Sequence, residues 1–257
     1  MQNPMMMTDR VIMVTGGGQG IGRQLAEQLL SLEAQVALVD IDADVLAEAR
    51  EALGPDRVQT YCGDVSDAEF VNSTVENIVT DLGGIHGLIN NAGIVRAAMA
   101  SEMSLEQWQQ VIGVNLTGAF ICLQAVGKQL ISKAKNGDPN PGSIVNISSD
   151  AGRRGTIGQI NYGAAKSGVL GLTMCSAREW GRYNINVNSV CYGMVETAMT
   201  ETIRQEKFRD KYLSQIPLGR FSTTEDVAPA TCFLLCDAAS YITGQHLSID
   251  GGFYISS

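Results

Sequence analysis

A chain of 257 residues, 45% hydrophobic and 18% charged, is long enough for one large α/β domain or two small ones and too apolar to stay disordered. Its formal net charge of −9 disfavours a surface for nucleic acid or anionic lipid, and no basic block exceeds Arg153-Arg154. No apolar run approaches the 18 or so residues of a bilayer-spanning helix, and residues 1–9 lack the charged start and apolar stretch of a secretion signal. A soluble, cytoplasmic protein is expected, with residues 1–9 as a flexible lead and residues 10–257 as a single domain.

In chain order, Val11-Ile-Met-Val14 reads as a buried strand, followed by a glycine-rich turn and by apolar residues at helical spacing over residues 21–32. Val36-Ala-Leu-Val39 is the second strand and closes on Asp40. Residues 44–53 are helical, and residues 57–62 form a third strand that ends at Asp64-Val65. Ser66-Asp67 caps a helix running to Leu82, and Gly87-Leu-Ile-Asn90 is the fourth strand. Residues 105–131 make a long helical stretch, loosened at Gly113 and Gly118. Ser143-Ile-Val-Asn-Ile147 is the fifth strand, the helix bearing Tyr162 and Lys166 follows it, and residues 186–190 and 247–249 complete the set.

Continuous Val/Ile-rich strands separated by helices indicate a parallel sheet covered on both faces. Right-handed crossovers then give a doubly wound α/β domain whose ligands bind at the carboxyl ends of the strands. The Gly-Asp-Pro-Asn-Pro-Gly run at residues 137–142 is a turn before the fifth strand, not a linker. The six cysteines form no CxxC pair and mostly sit in apolar surroundings, so reduced packing residues are expected. The two histidines, His86 and His246, are far apart and near no acidic cluster. With no G-x-S-x-G turn either, a zinc site and a serine–histidine–aspartate triad are both disfavoured.

Thr15-Gly16-Gly17-Gly18-Gln19-Gly20-Ile21-Gly22 lies between a strand and a helix, where glycines let backbone N–H groups approach a pyrophosphate at a helix N-terminus. Asp40 follows Gly20 by twenty residues and closes the next strand. A carboxylate there accepts hydrogen bonds from a ribose diol and repels a 2′-phosphate, so NAD is favoured over NADP; the plain alternative is a solvated strand end. Asp64 either bonds an adenine amino group or serves as an ordinary turn or cap. Asn90-Asn91-Ala92-Gly93 ends the fourth strand with small and amide residues that let backbone pass beside a ribose, though the same run is a common turn.

Tyr162 and Lys166 are four residues apart, hence on one helical face, with Ser149 thirteen residues upstream. A unit charge about 4 Å from a phenol, at an effective dielectric near 20, is worth roughly 4 kcal/mol. That would lower the phenol pKa from about 10 by about three. The spacing by itself also fits a surface tyrosine and lysine on an ordinary helix.

Together these residues resemble the short-chain dehydrogenase/reductase family. The match takes in the loop from Thr15 to Gly22, Asn90-Asn-Ala-Gly93, Asn115, Ile144-Val-Asn-Ile-Ser-Ser149, Tyr162-x-x-x-Lys166, Asn188-Ser-Val, and the run from Ile242 to Gly252. It covers residues 10–253. The resemblance implies a Rossmann fold and a tetrad of Asn115, Ser149, Tyr162 and Lys166. In it Tyr162 acts as general acid or base, Ser149 holds the substrate oxygen, Lys166 lowers the phenol pKa and binds the nicotinamide ribose, and Asn115 holds a relay water. The implied cofactor contacts are Gly16, Gln19, Gly20, Ile21 and Gly22 of the loop, then Asp40, Asp64 and Val65, then Asn91, Ala92 and Gly93, with Tyr162, Lys166, Val195 and Thr197. Residues 194–216 resemble the family's mobile substrate lid, and a homotetramer is expected by analogy.

One departure is Cys191-Tyr192-Gly193 where the family carries Pro-Gly. A looser turn over the nicotinamide is expected, with Tyr192 intruding toward substrate. The implied activity is NAD(H)-dependent interconversion of a secondary alcohol and a ketone on a small-molecule substrate. The alternative is a 3-oxoacyl-[acyl-carrier-protein] reductase of fatty-acid synthesis, usually NADPH-linked, with Arg153-Arg154 as a landing site for an acidic carrier protein. The third reading, from another class, is a catalytically silent nucleotide-binding protein.

Overall fold

The computed structural model describes residues 3–255. Its strands are β1 (Val11–Thr15), β2 (Gln35–Asp40), β3 (Val58–Cys62), β4 (Gly87–Asn90), β5 (Gly142–Ser149), β6 (Ile185–Tyr192) and β7 (His246–Ile249). They pair in parallel in the order β3-β2-β1-β4-β5-β6-β7. The main helices are α1 (Gly20–Ser31), α2 (Ala43–Leu53), α3 (Ala68–Leu82), α4 (Leu105–Ile112), α5 (Ala119–Lys135), a short α6 (Ala151–Arg154) and α7 (Ile160–Trp180). Two small helices, α8 (Glu201–Arg204) and α9 (Glu206–Leu213), precede α10 (Thr224–Phe233). The expected doubly wound, single-domain α/β architecture is the one observed.

Side chains alternate across each strand, and both faces of this sheet are apolar. Ile12 and Val14 of β1 pack with Leu25 and Leu29 of α1, Leu46 of α2 and Val227 of α10. Val11 and Met13 pack instead with Val75 and Ile78 of α3, Leu123 and Val126 of α5 and Ala177 of α7. Local chemistry sets the helix starts. Asp67 accepts hydrogen bonds from the N–H groups of Glu69 (2.9 Å) and Phe70 (3.2 Å), and Asp42 does the same for α2. Ser104 and Gln107 form a reciprocal capping box on α4.

The loosening expected at Gly113 and Gly118 takes the form of a π-helical turn over Gly113–Gly118, joining α4 to α5. Taken as one run, Leu105–Lys135 is apolar and long enough to cross a bilayer. Half of its most apolar window is buried within the domain, as in a core helix. Because β1 pairs with β2 on one side and β4 on the other, the chain leaves it in opposite directions. That divergence opens a crevice at the carboxyl ends of the strands.

One expectation needs correction. Residues 1–9 are not a loose lead over the part described; residues 1 and 2 lie outside the described residues. Met7 is 1% exposed and packs into the α1 layer. Its N–H donates to the Leu32 carbonyl (2.7 Å), and the Pro4 carbonyl accepts from Ala238 N–H (3.1 Å). Three consecutive methionines give this segment enough apolar surface to be worth burying. Among the cysteines, Cys62 and Cys175 are exposed while the other four are buried. Met7→Ala should therefore cost about 2–5 kcal/mol of stability, the usual range for a buried large-to-small change. A thermal melt that does not move would show that the segment contributes nothing to the fold.

Candidate active site

The glycine loop is shaped by positions that a side chain would block. Gly16 (φ 60°) and Gly20 (φ 53°) occupy the left-handed region. A Cβ on Gly22 would stand 1.9 Å from the Gly16 carbonyl oxygen, so the first turn of α1 rests on the loop backbone. Gln19 begins α1 without a side-chain cap, and no acidic residue lies in its first turn. The leading amides of Gly20, Ile21 and Gly22 therefore have no capping side chain, and together with the helix dipole they suit a phosphate. The residues present thus fit a dinucleotide.

Asp40 stands at the mouth of this loop. Its Oδ2 accepts from Gly18 N–H (3.1 Å) and its Oδ1 from Asp42 N–H (3.3 Å). Asp64 fills the turn role of its two alternatives, with Oδ1 accepting from both the N–H and the hydroxyl of Ser66 at 2.8 Å. Val65 is buried against Gly118. The Asn91 side chain faces the protein: its amide donates to the carbonyls of Thr15 and Gly16 (3.0 Å each). The Thr15 hydroxyl in turn accepts from Asn91 and Ala92 N–H (3.0 Å each). This clamp ties the glycine loop to the end of β4, with Gly93 lying against Asn115.

Across the crevice, α7 places Tyr162 and Lys166 on one face, with Lys166 Nζ 5.7 Å from the Tyr162 ring centroid. Lys166 is 3% exposed and donates to the Ile147 carbonyl (2.7 Å). Burial lowers its pKa to about 8. Tyr162 is only partly covered as a residue, but protein packs densely around its hydroxyl, and burial raises the phenol pKa. The opposing pull comes from the nearby Ser149 hydroxyl. The expected lowering of the phenol pKa by Lys166 is not found here: burial sets the direction, and the lysine is itself desolvated and donates to a carbonyl.

Ser149, at the end of β5, accepts from Ala151 N–H (3.2 Å), while buried Ser148 donates to the Lys166 carbonyl (2.8 Å). The two serines thus divide into one on the Tyr162 side and one that pins α7. Asn115, within the π-helical turn, closes its amide on one residue, donating to the Ile94 carbonyl (3.0 Å) and accepting from Ile94 N–H (2.8 Å). These two bonds hold the Asn115 side chain against the segment that leaves β4.

Further expectations fail on packing. Tyr192 does not intrude toward substrate: it is 5% exposed, lies in the α1–α10 layer, and its hydroxyl is 2.8 Å from Thr231 Oγ1. On a strand, the residue after Cys191 points to the opposite face, here the core. Nor is the turn after β6 loose, since Gly193 N–H donates to the Ile249 carbonyl (3.3 Å). Arg153 is not a free landing site. It donates to Ser248 Oγ (2.7 Å) and the His246 carbonyl (2.6 Å), and Arg154 lies over the Phe253 ring at 3.7 Å.

Val195 is buried and its carbonyl accepts from Thr200 Oγ1 (2.6 Å), while Thr197 caps a 3₁₀ turn over Ala198–Thr200. Beyond that turn, α8 and α9 take up most of the stretch to residue 216. A cavity of about 170 Å³ is lined by Met194, Ile216, Leu218, Ile249 and Gly251 among others. Thr15 and Asp150 were missed from sequence. Thr15 sits inside the glycine motif as a plain strand end, and nothing near Asp150 in sequence marks it. No group of three or more potential metal ligands occurs among the described residues.

Comparison with known proteins agrees with this architecture. Residues 16–254 match the family model described as enoyl-(acyl carrier protein) reductase. The chain is 42% identical over 254 residues to 3-oxoacyl-[acyl-carrier-protein] reductase FabG of Thermotoga maritima, covering 98% of this chain and all of that one. It is 37% identical to (3R)-3-hydroxyacyl-CoA dehydrogenase of Canis lupus familiaris, covering 99% of this chain and all of that protein. Among solved structures, a glucose/ribitol-type short-chain dehydrogenase/reductase from Brucella melitensis superposes with a TM-score of 0.89 at 32% identity, covering 97% and 98% of the two chains. With the glycine loop, the Tyr162–Lys166 pair and the sheet order already in place, the chain belongs to the short-chain dehydrogenase/reductase family and is an oxidoreductase acting on CH–OH and C=O groups.

Proposed function

We propose that the protein is an NAD(H)-dependent oxidoreductase interconverting a secondary alcohol and a ketone, with Tyr162 as general acid and base. The observation that carries this reading is the gathering of Tyr162 and Ser149 beside buried Lys166, in a domain whose glycine loop leads into an uncapped helix N-terminus. When bound, the nicotinamide supplies or accepts the hydride. The chain's own residues handle the oxygen and its proton. Ser149 donates to the substrate carbonyl oxygen and fixes it beside the phenol. Tyr162, kept protonated by burial, then delivers its proton to that oxygen as it becomes an alcohol. The protonated phenol is the form that reduction requires, and its conjugate base is the form that oxidation requires. Lys166 orients the ribose together with Tyr162 and, with a pKa of about 8, can refill the phenol's proton from solvent.

Asp40 supports NAD(H) over NADP(H). It lies against the glycine loop in an acidic stretch with Asp42 and Asp44, which would repel a 2′-phosphate. The second reading, 3-oxoacyl thioester reduction, is favoured by the named activities of the two relatives. It places the substrate at a 3-oxoacyl or 3-hydroxyacyl group, the same carbonyl chemistry on a thioester chain. We further propose a homotetramer, because Leu105, Phe120 and Met174 on α4, α5 and α7 expose apolar surface.

Tyr162→Phe should lower kcat by about 100-fold or more, the lower end of general-acid effects, with NADH still bound. Near-normal turnover would overturn the proton role. In the parent enzyme kcat/KM with NADH should exceed that with NADPH by about tenfold or more, equivalent to about 1.4 kcal/mol, and a reversed ratio would overturn the cofactor assignment. Turnover across 3-oxoacyl thioesters, sugars, polyols and cyclic ketones decides between the two substrate readings. Light scattering should give four times the chain mass, and the mass of one chain would exclude assembly.

A further inference from the structure

Two carboxyl groups meet at the ends of strands that do not touch. Asp150 follows Ser149 at the end of β5, and Asp250 follows Ile249 at the end of β7. Ser149 and Ile249 both pair with Tyr192 on the intervening β6. The residue that follows on the middle strand is Gly193, where a Cβ would stand 2.8 Å from Asp250 Cβ and 3.0 Å from its Cα. The space a side chain would take at Gly193 is thus left to Asp250. Asp150 is 3% exposed and Asp250 is 9% exposed.

Their hydrogen bonding is unequal. Asp250 accepts from Gly252 N–H at Oδ1 and from Tyr254 N–H at Oδ2, both 2.9 Å. Among the described residues neither oxygen of Asp150 has a donor, yet Asp250 lies within its hydrogen-bonding reach. A buried carboxylate without donors is strongly disfavoured. A proton on Asp150, donated to Asp250, satisfies both groups at once. We propose that Asp150 and Asp250 share one proton and serve as a positioning pair for the reaction, fastening the Ser149 end of β5 to the tail that follows β7. The proposal rests on the reading of Ser149 as the hydroxyl that holds the substrate oxygen.

The surrounding charges come from several elements. On α6, Arg154 and Arg153 draw the Asp150 pKa down, against burial and Asp250, which raise it to about 7. Arg153 is already committed to Ser248 and His246, and Arg154 to the Phe253 ring. Cys191 of β6 faces the pair with its thiol pKa raised by burial, and Lys166 of α7 approaches Cys191. His246 of β7 senses Arg153, and its pKa is lowered by burial. Loss of the shared proton sets like charges against each other beside Ser149 and beside the cavity that Asp250 and Gly251 line.

The test compares the parent enzyme with Asp150→Asn, whose amide can donate to Asp250 at any pH. In the infrared, the parent should show a protonated carboxyl band that disappears as pH rises through about 7 and is missing from the variant. The folded Asp150 pKa lies above the unfolded value of about 4, so between these pH values the folded state binds more protons. Parent stability should therefore fall relative to the variant as pH rises from about 4 to about 7 and level off above it. The KM for the ketone should rise about threefold or more in the parent across pH 7, with kcat changing less, and stay flat in the variant. Absence of the carboxyl band in the parent, which needs no variant to fold, overturns the shared proton. Identical stability slopes in the two proteins overturn it as well. A band and slope accompanied by the same KM profile in both overturn the positioning role. Failure of the functional reading would show separately, as no turnover with either cofactor while the infrared and stability results stand.

Discussion

The site depends on the clamp between β1 and β4. Parallel strands diverge there in connectivity, and an open crevice at that point has no backbone ladder of its own to hold it. The Thr15 hydroxyl accepts two backbone N–H groups from the β4 end, and the Asn91 amide reaches back to two carbonyls of the β1 end. Four hydrogen bonds thus convert a gap into a rigid seat for the glycine loop. The loop can then be held in left-handed conformations at Gly16 and Gly20 and packed under Gly22 without collapsing onto the sheet. Next to the seat, the Asn115 amide grips Ile94, so the segment leaving β4 is fixed to the π-helical turn. Thr15, Asn91 and Asn115 thus turn their polar side chains onto backbone, and the glycine loop presents mainly backbone to a ligand.

Burial, more than charge, sets the electrostatics of the reacting end. Tyr162 and Lys166 share a helical face, but both are desolvated, so each is moved toward its neutral form. A neutral phenol and a lysine poised near neutrality form a proton reservoir that needs no permanent ion pair. The nearby Ser149 hydroxyl is the influence that works against the phenol's desolvation. The same low-dielectric setting makes Asp150 unusual, because a carboxylate there has no donor and must find one.

Periodicity and motif spacing in the chain revealed the strand and helix order, the glycine loop and the position of Asp40, because each is a local pattern with a local cause. The glycines at 113 and 118 revealed a weak point in a helix, and the structure shows a π-helical turn there. What was not legible depends on direction and depth. Tyr192 reads as an intrusion next to a missing proline, but strand alternation turns it into the core. Arg153 reads as a free cation, yet a strand about a hundred residues later takes its donors. The phenol pKa followed the charge in the linear sequence, whereas the protein packed around it decides the sign. Asp150 and Asp250 lie a hundred positions apart, and only the sheet order brings them together.

The fastening of the amino-terminal segment has a consequence for how the protein is made. Pro4, Met5 and Arg10 find partners at Ala238, Cys236 and Asp237, more than two hundred positions downstream. Residues 4–10 dock locally on Leu32 and the α1 layer, but their remaining partners lie at residues 236–238. Contacts of such long sequence separation carry a loop-closure cost that is met late in folding. The segment is therefore a seam that joins the two ends of the domain, and its closure marks the fold as complete.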